Sequence, residues 1–232
     1  MNFKLYEILH MEPIAQIVDA TFFQKALMMI GVAAVSYILG SLCFAIIFTR
    51  LATGKDIRKL GSGNAGTANV LRSVGVIPGI LTGLFDFFKG VVAVYAGFIM
   101  FNIIGFEIYS GGCFATIFVL LGHFYPVFFK YKGGKGVMTM GGIIAVLHLK
   151  LFIFLALVYF AVLLGAKMTS LAALVTFFLL PFANLVICLM EHSRWVTSTS
   201  LYLCVTVLIF LTHKENIRRL KEGTEPKLVI KK

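Results

Sequence analysis

Acids are scarce in this chain. Ten Asp and Glu stand against twenty-one Lys and Arg in 232 residues, and only Asp19, Asp56 and Asp86 are aspartates. Carboxylate-rich metal centres and aspartate-dependent triads are therefore poorly supplied. None of the five histidines has an Asp five residues later, which removes the His-x4-Asp dyad used by many acyltransferases. The four cysteines (Cys43, Cys113, Cys188, Cys204) lie inside apolar runs without CxxC or Cys/His spacing, so buried thiols are expected rather than zinc or disulfides. A GxxxxGK[ST] loop is missing, because Lys135-Gly136 is followed by Val137. The letters Gly61-x-Gly63-x-x-Gly66 match a dinucleotide fingerprint, but no strand or βαβ pattern surrounds them.

Charge of either sign is also low, at 13% of residues against 59% hydrophobic, and the mean hydropathy is +0.95. Soluble domains carry about a quarter charged residues. The chain is expected to be an all-α integral membrane protein, since only helices or closed barrels satisfy backbone polar groups in lipid. Residues 1 to 24 lack the basic, apolar, small-residue order of a cleavable signal and read as a short interfacial helix. Apolar spans are expected over about 25–48, 76–100 and 111–129, each long enough for a hydrocarbon core of roughly 30 Å. From Val137 to His213 the chain is apolar, with weak breaks at His148–Lys150, Gly165–Thr169 and Glu191–Arg194, giving four more spans, some short or tilted. The whole chain, 1–232, reads as one polytopic domain.

The net charge of +11 would suit nucleic acid, but its placement argues otherwise. The segment Arg50–Arg72 holds five basic residues, Lys130–Lys135 three, and the tail from Lys214 seven, fifteen of the twenty-one. The positive-inside rule assigns all three segments, about 50–75, 130–139 and 213–227, to the cytoplasm. Parity then gives about seven transmembrane helices, an outside N-terminus and a cytoplasmic C-terminus, so three polar segments converge on one membrane face.

Those segments are built to hold anions. Gly61-Ser62-Gly63-Asn64-Ala65-Gly66-Thr67-Ala68-Asn69-Val70-Leu71-Arg72 combines glycines, short polar side chains and one guanidinium without an acid. Glycine lets backbone N–H groups crowd around an anion, and arginine offers a bidentate fork. Lys132-Gly133-Gly134-Lys135-Gly136-Val137-Met138-Thr139 is a second basic glycine turn. Lys55, Arg58 and Lys59 read singly as contacts to anionic headgroups. Asp86 and Lys89, three apart inside a span, are either a structural ion pair or groups pointed into the site. A transporter or a lipid-binding protein would use similar loops, though transporters usually gather their polar groups near mid-membrane.

In order and spacing the three segments resemble the bacterial acyl-phosphate:glycerol-3-phosphate 1-O-acyltransferase (PlsY) family. The resemblance is carried by Asp56 to Arg72, by Gly122-His123 with Lys132 to Val137, by His213 to Leu220 with Gly223-Thr224-Glu225, and by Asp86-x-x-Lys89-Gly90. It covers the chain from about residue 30. This chain departs from the family's usual residues at Ala65, Thr67-Ala68, Cys43 and Ala45. The resemblance implies a seven-helix fold and acyl transfer from a fatty acyl phosphate to the 1-hydroxyl of glycerol 3-phosphate, an early step of phospholipid synthesis. No cofactor, metal or nucleic acid is implied, and a bacterial cytoplasmic (inner) membrane location is. Membrane lipids and the acyl-phosphate synthase are the implied partners. Implied catalytic residues are Ser62 and Arg72, contacting glycerol 3-phosphate with help from Lys135, His213 and Asn216, and Glu225, ordering the tail. Implied substrate-binding residues are Gly61, Gly63, Asn64, Gly66 and Asn69 on the acceptor side. On the donor side they are Lys132, Gly133, Gly134, Gly136, Val137 and Thr139, with the N–H groups of Gly133 to Val137 cradling phosphate. The base is His213 or a substrate phosphate oxygen.

Overall fold

A computed structural model describes residues 21–191 and 195–228. The expected interfacial helix in residues 1 to 24 lies almost wholly outside the described residues. The described chain is helical, with no strand: an all-α integral membrane protein. Its helices are α1 (Phe22–Ser41), α2 (Phe44–Thr53), α3 (Thr67–Ser73), α4 (Val76–Ile103) and α5 (Ile108–Phe124), then α6 (Val137–Leu147), α7 (Leu149–Ala166), α8 (Thr169–Met190), α9 (Trp195–Thr212) and α10 (Lys214–Lys221).

Among the described residues, five stretches are long and apolar enough to cross a membrane: Phe22–Thr53, Val76–Ile103, Ile108–Phe129, Leu149–Ala166 and Thr169–Met190. Val196–Thr212 makes a sixth when taken with α10 across a 62° bend. The remaining apolar helix, α6, has 11 residues and rises only about 16 Å. The polar breaks read from sequence do end helices: at His148, at Lys167–Met168 and at Glu191. Of the cysteines, Cys43, Cys113 and Cys188 are buried, whereas Cys204 is exposed on the outer face of α9.

Thr21 starts α1 with a reciprocal cap, its hydroxyl accepting from the Gln24 N–H while the Gln24 Oε1 accepts from the Thr21 N–H. The helix stops at Leu42–Cys43, and α4 answers its end: Lys89 Nζ donates to the carbonyls of Leu42 (2.8 Å) and Gly40 (3.2 Å). Close packing follows small residues. A Cβ on Gly40 would fall 2.1 Å from the Val119 carbonyl oxygen, and one on Gly90 would fall 2.3 Å from that of Thr139. These contacts clamp α1 to α5 and α4 to α6, and they bring the two glycine-rich loops together at one end of the bundle.

Candidate active site

The first loop is held by side chains that serve the loop itself. Asp56 caps the 3-10 turn Ile57–Lys59 by accepting from the Arg58 N–H at 3.0 Å. Its carboxylate also takes a two-point contact from Arg58, Nε at 3.0 Å and Nη2 at 2.8 Å, which holds the Asp56 carboxyl well below the usual range. The other end of the Arg58 guanidinium donates to the carbonyls of Phe129 (2.6 Å) and Lys132 (3.3 Å). Arg58, read from sequence as a headgroup contact, is a staple between the two loops, because its acceptors lie more than seventy residues away.

Asn69, in α3, is buried against the same loop. Its Oδ1 accepts from the Ser62 N–H (3.0 Å) and the Ser73 hydroxyl (3.3 Å), and its Nδ2 donates to the carbonyls of Leu60 and Asn64, both at 3.0 Å. Those bonds bend the chain through left-handed conformations at Gly61 (φ +54°) and Gly63 (φ +72°). A Cβ on Gly61 would also strike Asn69 Oδ1 at 2.4 Å. Gly61 and Gly63 thus shape the loop, Ser62, Asn64 and Gly66 face the cavity, and Asn69 both braces the loop and borders the cavity.

The second loop spends part of its donor supply on structure. The Gly133 N–H donates to the Phe124 carbonyl (3.1 Å) and the Gly134 N–H to that of His123 (3.2 Å). Two of the N–H groups expected to cradle a phosphate are therefore satisfied inside the fold, which corrects that expectation. What faces the cavity is Lys135, Gly136, Val137 and Met138, at the start of α6, where the first N–H groups have no intrahelical acceptor and the helix dipole favours an anion. Lys132 points to solvent, and Thr139 is fully buried.

The third segment closes the ring. His213, 2% exposed, sits at the bend between α9 and α10. Its Nδ1 lies 2.8 Å from the Ile209 carbonyl oxygen, which can only accept, so Nδ1 carries a proton and the neutral ring keeps its lone pair on Nε2. Lys135 Nζ donates to Asn216 Oδ1, and Asn216 Nδ2 donates to Glu225 Oε1 at 2.7 Å. Glu225 also pairs with Arg219 Nε at 2.8 Å. Arg72 donates to the Ser62 hydroxyl and the Pro226 carbonyl, each at 3.3 Å. Burial, and then the positive charge of Arg219, push Lys135 down to about 8.

These groups line one cavity of about 270 Å³ that contains all six expected catalytic residues, Ser62, Arg72, Lys135, His213, Asn216 and Glu225. The glycines Gly61, Gly63, Gly133 and Gly134, with Lys132 and Thr139, stand behind it. Among the described residues no cluster of three or more His, Cys, Asp or Glu could hold a metal ion. Sequence reasoning missed Tyr159, Phe160 and Leu163, an apolar wall from α7, and Ser170 at the start of α8. The one available signal was that 159, 160 and 163 share a helix face. Asp86 and His123 also reach the cavity, while Lys89 is the cap of α1 and lies 2.7 Å from Asp86. The pair left open in the sequence thus divides: Lys89 serves the fold, and Asp86 borders the cavity.

Comparison with known proteins agrees with this geometry. A family profile described as Glycerol-3-phosphate acyltransferase matches residues 30–223. A glycerol-3-phosphate acyltransferase of Neisseria gonorrhoeae is 39% identical over 199 residues, 86% of this chain and 96% of its own. One from Carboxydothermus hydrogenoformans is 34% identical over 205 residues, 88% and 99%. The crystal structure of PlsY (YgiH), an integral membrane glycerol 3-phosphate acyltransferase, in its glycerol 3-phosphate form, superposes with a TM-score of 0.75 at 30% identity, covering 87% of this chain and 96% of that one. Its lysophosphatidic acid form superposes at 0.72 and 31% identity, covering 86% and 94%. The loops, the tail and the helices that carry them therefore have one explanation: the chain belongs to the glycerol-3-phosphate acyltransferase family.

Proposed function

We propose that the protein transfers a fatty acyl group from an acyl phosphate to the 1-hydroxyl of glycerol 3-phosphate, giving lysophosphatidic acid and inorganic phosphate. It would do so at the cytoplasmic face of a bacterial inner membrane, as the first acylation of phospholipid synthesis. The observation that carries this reading is the cavity itself. Two separate anion-binding elements, Ser62 with Arg72 and Lys135 with the start of α6, meet there beside an apolar wall from α7. Two phosphate-bearing substrates, one with an acyl chain, fit that division.

In this reading Arg72 and Ser62 hold the glycerol 3-phosphate phosphate, and the N–H groups at the start of α6 hold the donor phosphate. The glycerol hydroxyl oxygen attacks the acyl carbon, the acyl C–O bond to phosphate breaks, and phosphate leaves with that bonding pair. The hydroxyl proton passes to His213 Nε2 or to a phosphate oxygen of the substrate. An acyl phosphate is already activated, so an enzyme-bound acyl intermediate is unnecessary, and Ser62 acts as a ligand. Lys135 and the helix N-terminus offset charge on the leaving group and the developing oxyanion.

The test is phosphate release by the purified protein from acyl phosphate, with and without glycerol 3-phosphate, and lysophosphatidic acid formation with acyl-CoA in place of the donor. Phosphate release that needs glycerol 3-phosphate, and no acylated product from acyl-CoA, are expected. Equal release without the acceptor would defeat the proposal. His213→Ala should lower kcat by about 10²-fold or more if Nε2 is the base, and less than about tenfold if substrate phosphate is.

A further inference from the structure

His123 lies in the last turn of α5 and touches both ends of the segment Gly134–Thr139. At the near end its carbonyl accepts the Gly134 N–H at 3.2 Å. Its ring is packed so closely there that a Cβ on Gly134 would fall 2.5 Å from Nε2. At the far end its Nδ1 lies 3.3 Å from the hydroxyl of Thr139, the third residue of α6. Between these contacts stand Lys135, Gly136, Val137 and Met138, the residues that face the cavity.

The ring lies beside a buried ion pair. Asp86 Oδ1 is 3.8 Å from Nδ1, beyond hydrogen-bond reach, and 2.7 Å from Lys89 Nζ, and all three side chains are at most 5% exposed. The polar partner within reach of Nδ1 is Thr139 Oγ1. A histidine that merely filled space would need neither a hydroxyl partner nor a glycine against its other nitrogen. One that brackets a loop needs both.

We propose that His123 is a positioning residue for the donor phosphate: it sets the spacing of the N–H groups from Gly136 to Thr139 by gripping Gly134 and Thr139. The inference rests on the donor-side reading of that segment given above. It predicts a defect confined to one substrate, because the acceptor ligands Ser62 and Arg72 make no contact with the ring.

The experiment compares KM for acyl phosphate and for glycerol 3-phosphate in the wild type and in His123→Leu, His123→Asn and Thr139→Val. His123→Leu should raise donor KM about tenfold while acceptor KM stays within about twofold. His123→Asn keeps a polar atom at the Nδ1 position and should recover donor KM to within about threefold of the wild type. Thr139→Val preserves volume and removes only the hydroxyl, so it carries the test if His123→Leu does not fold. It should shift donor KM in the same sense, and the His123→Leu/Thr139→Val double variant should be no worse than the poorer single. The inference is overturned if the two KM values rise together, if His123→Asn is as impaired as His123→Leu, or if the single defects add in full. A wild type that releases no phosphate defeats the function beneath it as well. A wild type with turnover but no such split defeats this inference alone.

Discussion

Asn216 stands between Lys135 and Glu225, its amide oxygen accepting from the ammonium and its amide nitrogen donating to the carboxylate at 2.7 Å. Glu225 in turn neutralises Arg219. In Glu225→Gln the charge goes and the shape stays, so Arg219, Arg72 and Lys135 are left facing one another without an anion. The expected result is a fall in kcat/KM of about 10- to 100-fold, an effect of the size seen when one charge-assisted contact is removed from a site. Steady-state kinetics check it, and a value within twofold of the wild type would dismiss the arrangement as incidental.

Lys135 gives a pH dependence whose two consequences have opposite signs. Its ammonium is present below about pH 8 and lost above it, so KM for the phosphate it holds should rise by up to about tenfold per pH unit above 8. In the unfolded chain the same lysine keeps its proton to about 10.4. Between those values the unfolded state binds more protons, and stability contributed by this residue increases with pH. Lys135→Arg should flatten the KM profile over this range, because guanidinium stays charged. A wild-type KM that is level from pH 7 to 9.5 would rule the role out.

Arg72 reaches the Ser62 hydroxyl and the Pro226 carbonyl with different nitrogens. Lysine cannot reproduce that fork, so Arg72→Lys should raise KM for glycerol 3-phosphate about tenfold or more with a smaller change for the donor. An unchanged acceptor KM refutes the assignment.

Arg58 makes its contribution through stability. Arg58→Ala deletes a carboxylate pair and two carbonyl contacts that tie the first loop to the second, a loss on the order of 2 kcal/mol. Thermal unfolding in detergent should show a lower midpoint, and Arg58→Lys should recover little of it. Equal midpoints for all three proteins would contradict the staple.

The convergence of three loops was legible because glycine, basic residues and short polar residues interrupt a chain that is otherwise apolar. The same contrast located the helix breaks at His148, Lys167 and Glu191. Three kinds of fact were not legible. Arg58 looked like any basic residue near a membrane, since its partners Phe129 and Lys132 are main-chain acceptors and carry no sequence mark. Asn69 was grouped with the binders, and it does border the cavity, but the sequence did not show that its amide also braces Leu60, Ser62, Asn64 and Ser73. Tyr159, Phe160 and Leu163 lie in a helix that is apolar all round, so nothing in their chemistry distinguishes a wall of the cavity from a surface against lipid.

The shortness of α6 reaches beyond packing. Its 11 residues rise about 16 Å, near half of a hydrocarbon layer of roughly 30 Å. One end carries the Lys135–Gly136 turn. The other ends at His148, whose Nε2 is 3.7 Å from Glu191, itself 2.5 Å from Lys150 Nζ. Two hydrophilic landings so close together cannot both rest at the surfaces of an undisturbed bilayer. One of them is therefore met by protein, by a thinned lipid layer or by water reaching inward. In the proposed reaction, an acyl chain along α7 and glycerol 3-phosphate arriving from water would meet at a common depth, and neither would cross the full boundary between the two solvents.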